Sequence, residues 1–165
     1  MELETRLGTL QVNEEEIIHF PVGILGFSEY HRYVIVEQEG SAFSFLQSVD
    51  DPELSFVIIM PELVCADYSV QLRDEEVDLL QIMEIIPEAK KDGIVTIPEN
   101  VAEMTVNLQA PVVINAKSLV GAQFIIQGDK YHTKHNVIAE MHKNAYLLQK
   151  QSESQEGEEK IQESV

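Results

Sequence analysis

Apolar positions recur at every second residue, or in short unbroken runs, along most of the chain. They do so in IIHF at 17–20, YVIVEQ at 33–38, FSFLQS at 43–48 and FVIIM at 56–60. The pattern returns in LLQIMEII at 79–86, GIVTI at 93–97, MTVNL at 104–108, PVVIN at 111–115 and AQFIIQ at 122–127. Each run has the length of a strand, is rich in β-branched residues, and is bounded by Gly, Pro, Asp or Asn, the residues that turn a chain. Helix-length segments between the runs are mostly missing, which disfavours parallel βαβ units. The pattern predicts an all-β fold, an antiparallel β-barrel-like or sandwich domain with one or two short helices.

Two segments carry a different period. KHNVIAEMHKNAYLLQK at 134–150 places Val137, Ile138, Met141, Ala145 and Leu148 on one helical face, which predicts a helix capping the sheet. PELVCADYSV at 61–70 starts with Pro in the favoured first-turn position and predicts a helical turn or two between strands. Beyond them, QSESQEGEEKIQESV has almost no apolar side chain with which to offset the entropy of ordering. The organisation expected is a single β-rich domain over 1–149 followed by a flexible acidic tail over 150–165.

One apolar stretch is broken by turn-formers, FPVGILGFSEY at 20–30. Its apolar part, FPVGILGF at 20–27, offers no nucleophile, base or phosphate-cradling glycine run. Phe20, Ile24, Leu25 and Phe27 are expected to plug the sheet interior, with Pro21, Gly23 and Gly26 turning the chain between them. Pro111 is expected in a similar turning role.

At 165 residues the chain is long enough for one self-sufficient core. Its single cysteine, Cys65, has no partner for an internal disulfide, which fits a reducing cytoplasm. The first residues, MELETRLGTL, lack the cationic start of a secretory signal, and no apolar run reaches the length of a membrane span. Charge adds more: 29 Asp and Glu against 11 Lys and Arg leave a formal net charge of -18. Such a surface repels a phosphate backbone and argues against direct nucleic-acid binding, while favouring a basic protein partner.

Candidate chemistry is sparse. His132 and His135 stand three apart in YHTKH, with Glu140 and His142 following, but the spacing matches no zinc motif. Cys65, between Val64 and Ala66, reads as a small packing group and not as an activated nucleophile. Asp50, Asp51 and Glu53 cluster in SVDDPEL, where Pro52 makes a turn the first reading. The sequence lacks both GxxxxGK[ST] and GxGxxG, so nucleotide binding has no support. No metal site and no cofactor is expected. An enzymatic or ligand-binding alternative is a small-molecule- or metal-binding β-barrel, in which Asp50, Asp51 and Glu53 converge with His132 or His135 in one pocket.

Three stretches taken together, FPVGILGF at 20–27, FSFLQSVDDPELSFVII at 43–59 and VNLQAPVVIN at 106–115, resemble the flagellar assembly factor FliW family over roughly residues 5 to 127. The LQSxDDPELxF element is the most specific of them. The resemblance implies a cytoplasmic bacterial regulator without enzymatic activity, built as an antiparallel β-barrel-like domain. It implies two protein partners: flagellin, bound in a chaperone-like manner, and CsrA, the dimeric RNA-binding repressor of flagellin translation. Export of flagellin would free the factor to capture CsrA and relieve repression. The contact surface expected from this reading is polar and grouped at a strand end: Gln47, Ser48, Asp50, Asp51 and Glu53, with Asn107 added from the third stretch.

Overall fold

The computed structural model describes residues 1–80 and 89–145. Ten strands follow one another in the described chain: β1 (Glu2–Thr5), β2 (Gly8–Gln11), β3 (Ile18–His19), β4 (Arg32–Glu37), β5 (Phe43–Ser48), β6 (Ser55–Ile59), β7 (Ala89–Thr96), β8 (Thr105–Asn115), β9 (Val120–Gln123) and β10 (His135–Asn136). Strands β3 to β9 close a seven-stranded barrel. Antiparallel neighbours make all but one of its seams, and the exception is the parallel pairing of His19 with Val120, where the His19 N–H donates to Leu119 O at 2.9 Å. β10 lies against the free half of β8, and β1–β2 form a separate hairpin.

The period-two alternation sorts side chains to the two faces of the barrel wall. One phase gathers Ile18, Tyr33, Leu46, Ile58, Val112 and Ile114 in the interior with Phe20 and Ile24. The other phase makes three outer patches, each covered by an accessory element. The hairpin lays Leu3 and Leu10 over Val12, Ile17, Val34 and Val49. Helix α1 (Asp74–Leu80) sets Leu79 against Val113, Ala122 and Phe124. The segment after β6 and a second helix, α2, helical over 137–145 of the described residues, cover Val95, Met104, Val106 and Leu108 with Val64, Tyr68 and Val137.

The all-β expectation holds, with a closed barrel as its form. Several elements differ from the sequence reading. The run at 79–86 is not a strand where it is described: 79 and 80 end α1, and 81–88 lie outside the described residues. Asp74, Glu75 and Glu76 favour helix there by facing the positive end of the helix dipole. Glu76 also accepts from the Arg73 backbone N–H at 3.0 Å, half of a capping box. Residues 61–70 contain only a single 3-10 turn, Pro61–Leu63. The expected helix from 134 begins later, after His135 and Asn136 have paired with β8; Ile138 and Met141 pack inward while Ala145 is exposed. Leu148 and the acidic segment 150–165 lie outside the described residues.

MTVNL and PVVIN are one strand, not two. Between them the ladder with β7 jumps from Ile94↔Asn107 to Asp92↔Val112, leaving 108–111 as a bulge. Pro111, which has no N–H to give a ladder, sits in that bulge, the position in which a sheet tolerates it.

Candidate functional site

The SVDDPEL segment is a tight turn between β5 and β6 whose polar groups bond mostly to its own backbone. Ser48 Oγ accepts from the N–H groups of Asp50 and Asp51, Asp51 Oδ1 accepts from the Glu53 N–H, and the Leu54 N–H donates to Asp51 O. Gln47 and Ser48, expected on a contact surface, are both 0% exposed. The Gln47 amide nitrogen is shared among the carbonyls of Ser48, Pro52 and Leu54 at 2.9, 3.0 and 3.1 Å. These two residues build the turn from inside because their side chains are the nearest partners for backbone groups that pairing leaves unmet.

Asp50 ties this turn to the start of β4. It accepts from the N–H groups of His31 and Arg32 and from Arg32 Nε at 2.8 Å, and its ion pair with the Arg32 guanidinium spans 2.7 Å. Partial burial pushes its carboxyl up, but the His31 N–H and Arg32 hydrogen bonds outweigh it and hold the carboxyl below the usual range. Asp51 is half-buried, and Glu53 projects freely. Asn107 lies on β8, far along the chain from this turn, where its amide oxygen accepts from the N–H groups of Gln109 and Ala110 at the bulge.

The broken apolar loop divides by side chain. Phe20 and Ile24 enter the barrel, and the Phe20 ring meets Tyr33 edge-on with centroids 5.0 Å apart. Gly23 makes the entry possible: its φ is +70°, and a Cβ there would stand 2.6 Å from Ser28 Cα. Leu25 and Phe27 do not join the plug. Leu25 is 57% exposed and Val22 59% exposed, while Phe27 stays half-exposed with its ring edge-on to Phe56 at 5.2 Å. The turn between Gly23 and Gly26 lifts these side chains out of the barrel while the Leu25 N–H is held by Gln123 Oε1 at 3.0 Å. The plugged end of the barrel therefore presents an apolar loop to its surroundings.

The remaining candidates stand apart from both features. His132 and His135 stack at 5.3 Å, with the His132 N–H donating to His135 Nε2 at 2.8 Å. Burial lowers the His135 ring below its ordinary value. Among the described residues these imidazoles share no hydrogen bond or ion pair with Asp50, Asp51 or Glu53, and no group of three or more His, Cys, Asp or Glu is placed to hold a metal ion. Cys65 is half-buried, donates to Asp67 Oδ1 at 3.1 Å, and is pushed up to about 11 by burial and by that carboxylate, so its thiol stays protonated near neutrality.

Sequence reasoning missed the exposure of Val22 and Leu25, because turn residues in an apolar run do not say which side chains face in. It also missed Asp92, which is buried in β7. The one sign was an acidic residue beside a glycine at the head of an apolar run, KKDGIVT, which reads equally well as loop punctuation.

Barrel, plug and outer covers define a class, a closed and internally plugged antiparallel β-barrel. The chain belongs to the FliW family, whose family model, described as "FliW protein", matches residues 2–137. It is 42% identical over 149 residues to a flagellar assembly factor FliW of Caldanaerobacter subterraneus subsp. tengcongensis, covering 88% of this chain and 98% of that one. It is 39% identical to another of Alkaliphilus metalliredigens, over 95% of this chain and 98% of the relative. A solved crystal structure of the flagellar assembly factor FliW superposes with a TM-score of 0.77 at 34% identity, over 83% of this chain and 96% of that one. Among the described residues no helix is long and apolar enough to cross a membrane.

Proposed function

We propose that this protein is a non-enzymatic, cytoplasmic regulator of flagellum assembly that binds flagellin and, when free of it, binds the RNA-binding repressor CsrA and relieves repression of flagellin synthesis. Membership of the FliW family over residues 2–137 is the observation that carries the reading. The chemistry of the site agrees with it: Asp50 is committed to Arg32 and the His31 N–H, Asp51 accepts from the Glu53 N–H, and the chain is strongly acidic. The exposed loop of Val22, Leu25 and Phe27 supplies an apolar contact over the plugged barrel end, suited to a partner segment. Asp51 and Glu53 are the carboxylates of the family stretch with room to face a basic partner; Gln47 and Ser48 act beneath them.

Calorimetric titration of this protein into the host's CsrA, repeated after saturation with flagellin, tests the proposal. Tight binding to CsrA that flagellin abolishes is expected. Absence of heat with CsrA, where flagellin still binds, would sink the regulatory claim and leave a chaperone. Equal CsrA binding with and without flagellin would remove the switch, which needs a negative coupling of at least about 1 kcal/mol.

A further inference from the structure

The two ends of the barrel are not alike. The plug closes the end at which β4 begins and β6 begins, where Tyr33 and Phe56 meet Phe20 and Phe27. At the other end, where β4 and β6 finish, strands β4 to β7 and the segments that follow β4 and β6 line an open cavity of about 310 Å³. Ile58 and Ile59 line it with Met60 and Leu63, and its polar lining comes from Glu37, Ser41, Ser44, Lys90 and Asp92. A barrel mouth with an apolar floor and a few convergent polar groups is a common place for a ligand.

Asp92 is the unusual member. It is 2% exposed, yet its Oδ2 accepts no hydrogen bond; Lys90 Nζ, 3.6 Å away, is an ion-pair neighbour beyond hydrogen-bond length. Its place is set by the β-bulge, because the ladder shifts between Asp92 and Ile94. Gly93, between them, leaves room for Val106, whose Cγ2 would lie 2.5 Å from any Cβ. That arrangement holds Asp92 toward the mouth while its neighbour faces the outer core. A buried carboxylate oxygen held by one long ion pair and no hydrogen bond is costly, and it keeps the capacity to accept from a better-placed donor.

We propose that the open mouth of the barrel is a receptor pocket for one arginine side chain of a protein partner, with Asp92 as its counter-ion. A guanidinium carries donors spread around a plane, and the mouth offers acceptors from several strands: Asp92 Oδ2, the Ser44 hydroxyl and the Glu37 carboxylate, with Ser41 Oγ beside them already accepting from the Phe43 N–H. The guanidinium is weakly hydrated, which lowers the cost of bringing it against the buried Asp92. Met60, 51% exposed, and Leu63 at the rim match the aliphatic stem behind it. The field of the whole chain, with its net charge of -18, favours a basic partner on approach. Burial pushes the Asp92 carboxyl up to about 6 against the pull of Lys90, and Glu62 adds to the rise, so a cation arriving near neutrality meets a carboxylate that gains from being paired.

The source of the arginine rests on the partner-binding function proposed above; the pocket itself does not. The test is a nuclear magnetic resonance titration of the full chain with N-acetyl-arginine amide, and in parallel with N-acetyl-citrulline amide, its neutral counterpart. Saturable shifts at the Ser41, Ala42 and Asp92 backbone amides are expected with the arginine probe, at about millimolar affinity for a single side chain. Binding at least about tenfold weaker is expected for citrulline and for Asp92→Asn. No shift with the arginine probe, equal binding of the two probes, or unchanged binding in the variant would each overturn the pocket. A protein that binds neither CsrA nor flagellin but still takes arginine over citrulline would remove the proposed function and leave the pocket standing. Binding to CsrA with no preference for the arginine probe would do the reverse.

Discussion

At the scale of a residue, the fold carries one carboxylate that works against it. Asp92 has a folded value of about 6 against an ordinary 3.8, raised chiefly by burial. For a group whose value rises on folding, the wild type is most stable below the unfolded value and loses that stability as pH climbs through the folded one. The difference of about two pH units, which already includes the opposing pull of Lys90, corresponds to roughly 3 kcal/mol, lost as pH rises from about 4 to about 6. Asp92→Asn removes the ionisation and keeps the shape. The variant is expected to be more stable than wild type by about 1–3 kcal/mol at pH 7.5, an advantage that shrinks as pH falls from 6 to 4. Urea unfolding at a series of pH values reads this directly; a variant less stable than wild type at pH 7.5 would show that the carboxylate is satisfied in the free protein. The sequence hid Asp92, since its burial arises from a bulge that depends on Val106 and Asn107, residues distant along the chain.

At the scale of an element, the plug loop separates two uses of glycine. Gly23 and Gly26 both have positive φ, +70° and +86°, but only Gly23 lacks room, with backbone of Ser28 where a Cβ would go. Gly26→Ala meets open space and is expected to cost about 1 kcal/mol, the conformational term alone. Gly23→Ala must also displace the chain that holds Phe20 and Ile24 inside the barrel, and is expected to cost about 3 kcal/mol or more. Thermal unfolding of the two variants decides it, and equal losses would mean that the loop moves without disturbing the plug. Strand runs such as FSFLQS were legible because their alternation is a property of the segment itself: β5 occupies Phe43–Ser48, the same residues. The β1–β2 hairpin was not, because its four-residue strands bring only Leu3 and Leu10 to the outer core. Nor was the inward or outward sense of Leu25 against Ile24, which a turn decides and composition does not. SVDDPEL was read first as a turn, and a turn joins β5 to β6 there, whereas the reach of Asp50 to Arg32 and the burial of Gln47 and Ser48 depend on strand pairing, Tyr33↔Ser48 and Gln47↔Ser55.

At the scale of the whole molecule, a net charge of -18 acts on the approach of a basic partner more than on the contact once made. Screening lengths run from about 30 Å at 0.01 M salt to about 3 Å at 1 M, so steering by a diffuse acidic surface fades across the range in which a close ion pair persists. The association rate with CsrA, the partner proposed above, is therefore expected to fall about tenfold or more between roughly 20 and 500 mM salt, with the dissociation rate changing far less. Neutralising Asp51 and Glu53 together removes two of the 29 acidic residues and is expected to lower the association rate less than about threefold if steering is collective. Stopped-flow measurement of both rates across the salt series tests this. An association rate indifferent to salt would show that the acidity serves solubility alone, and a tenfold loss from Asp51 and Glu53 would place the encounter at the SVDDPEL turn itself.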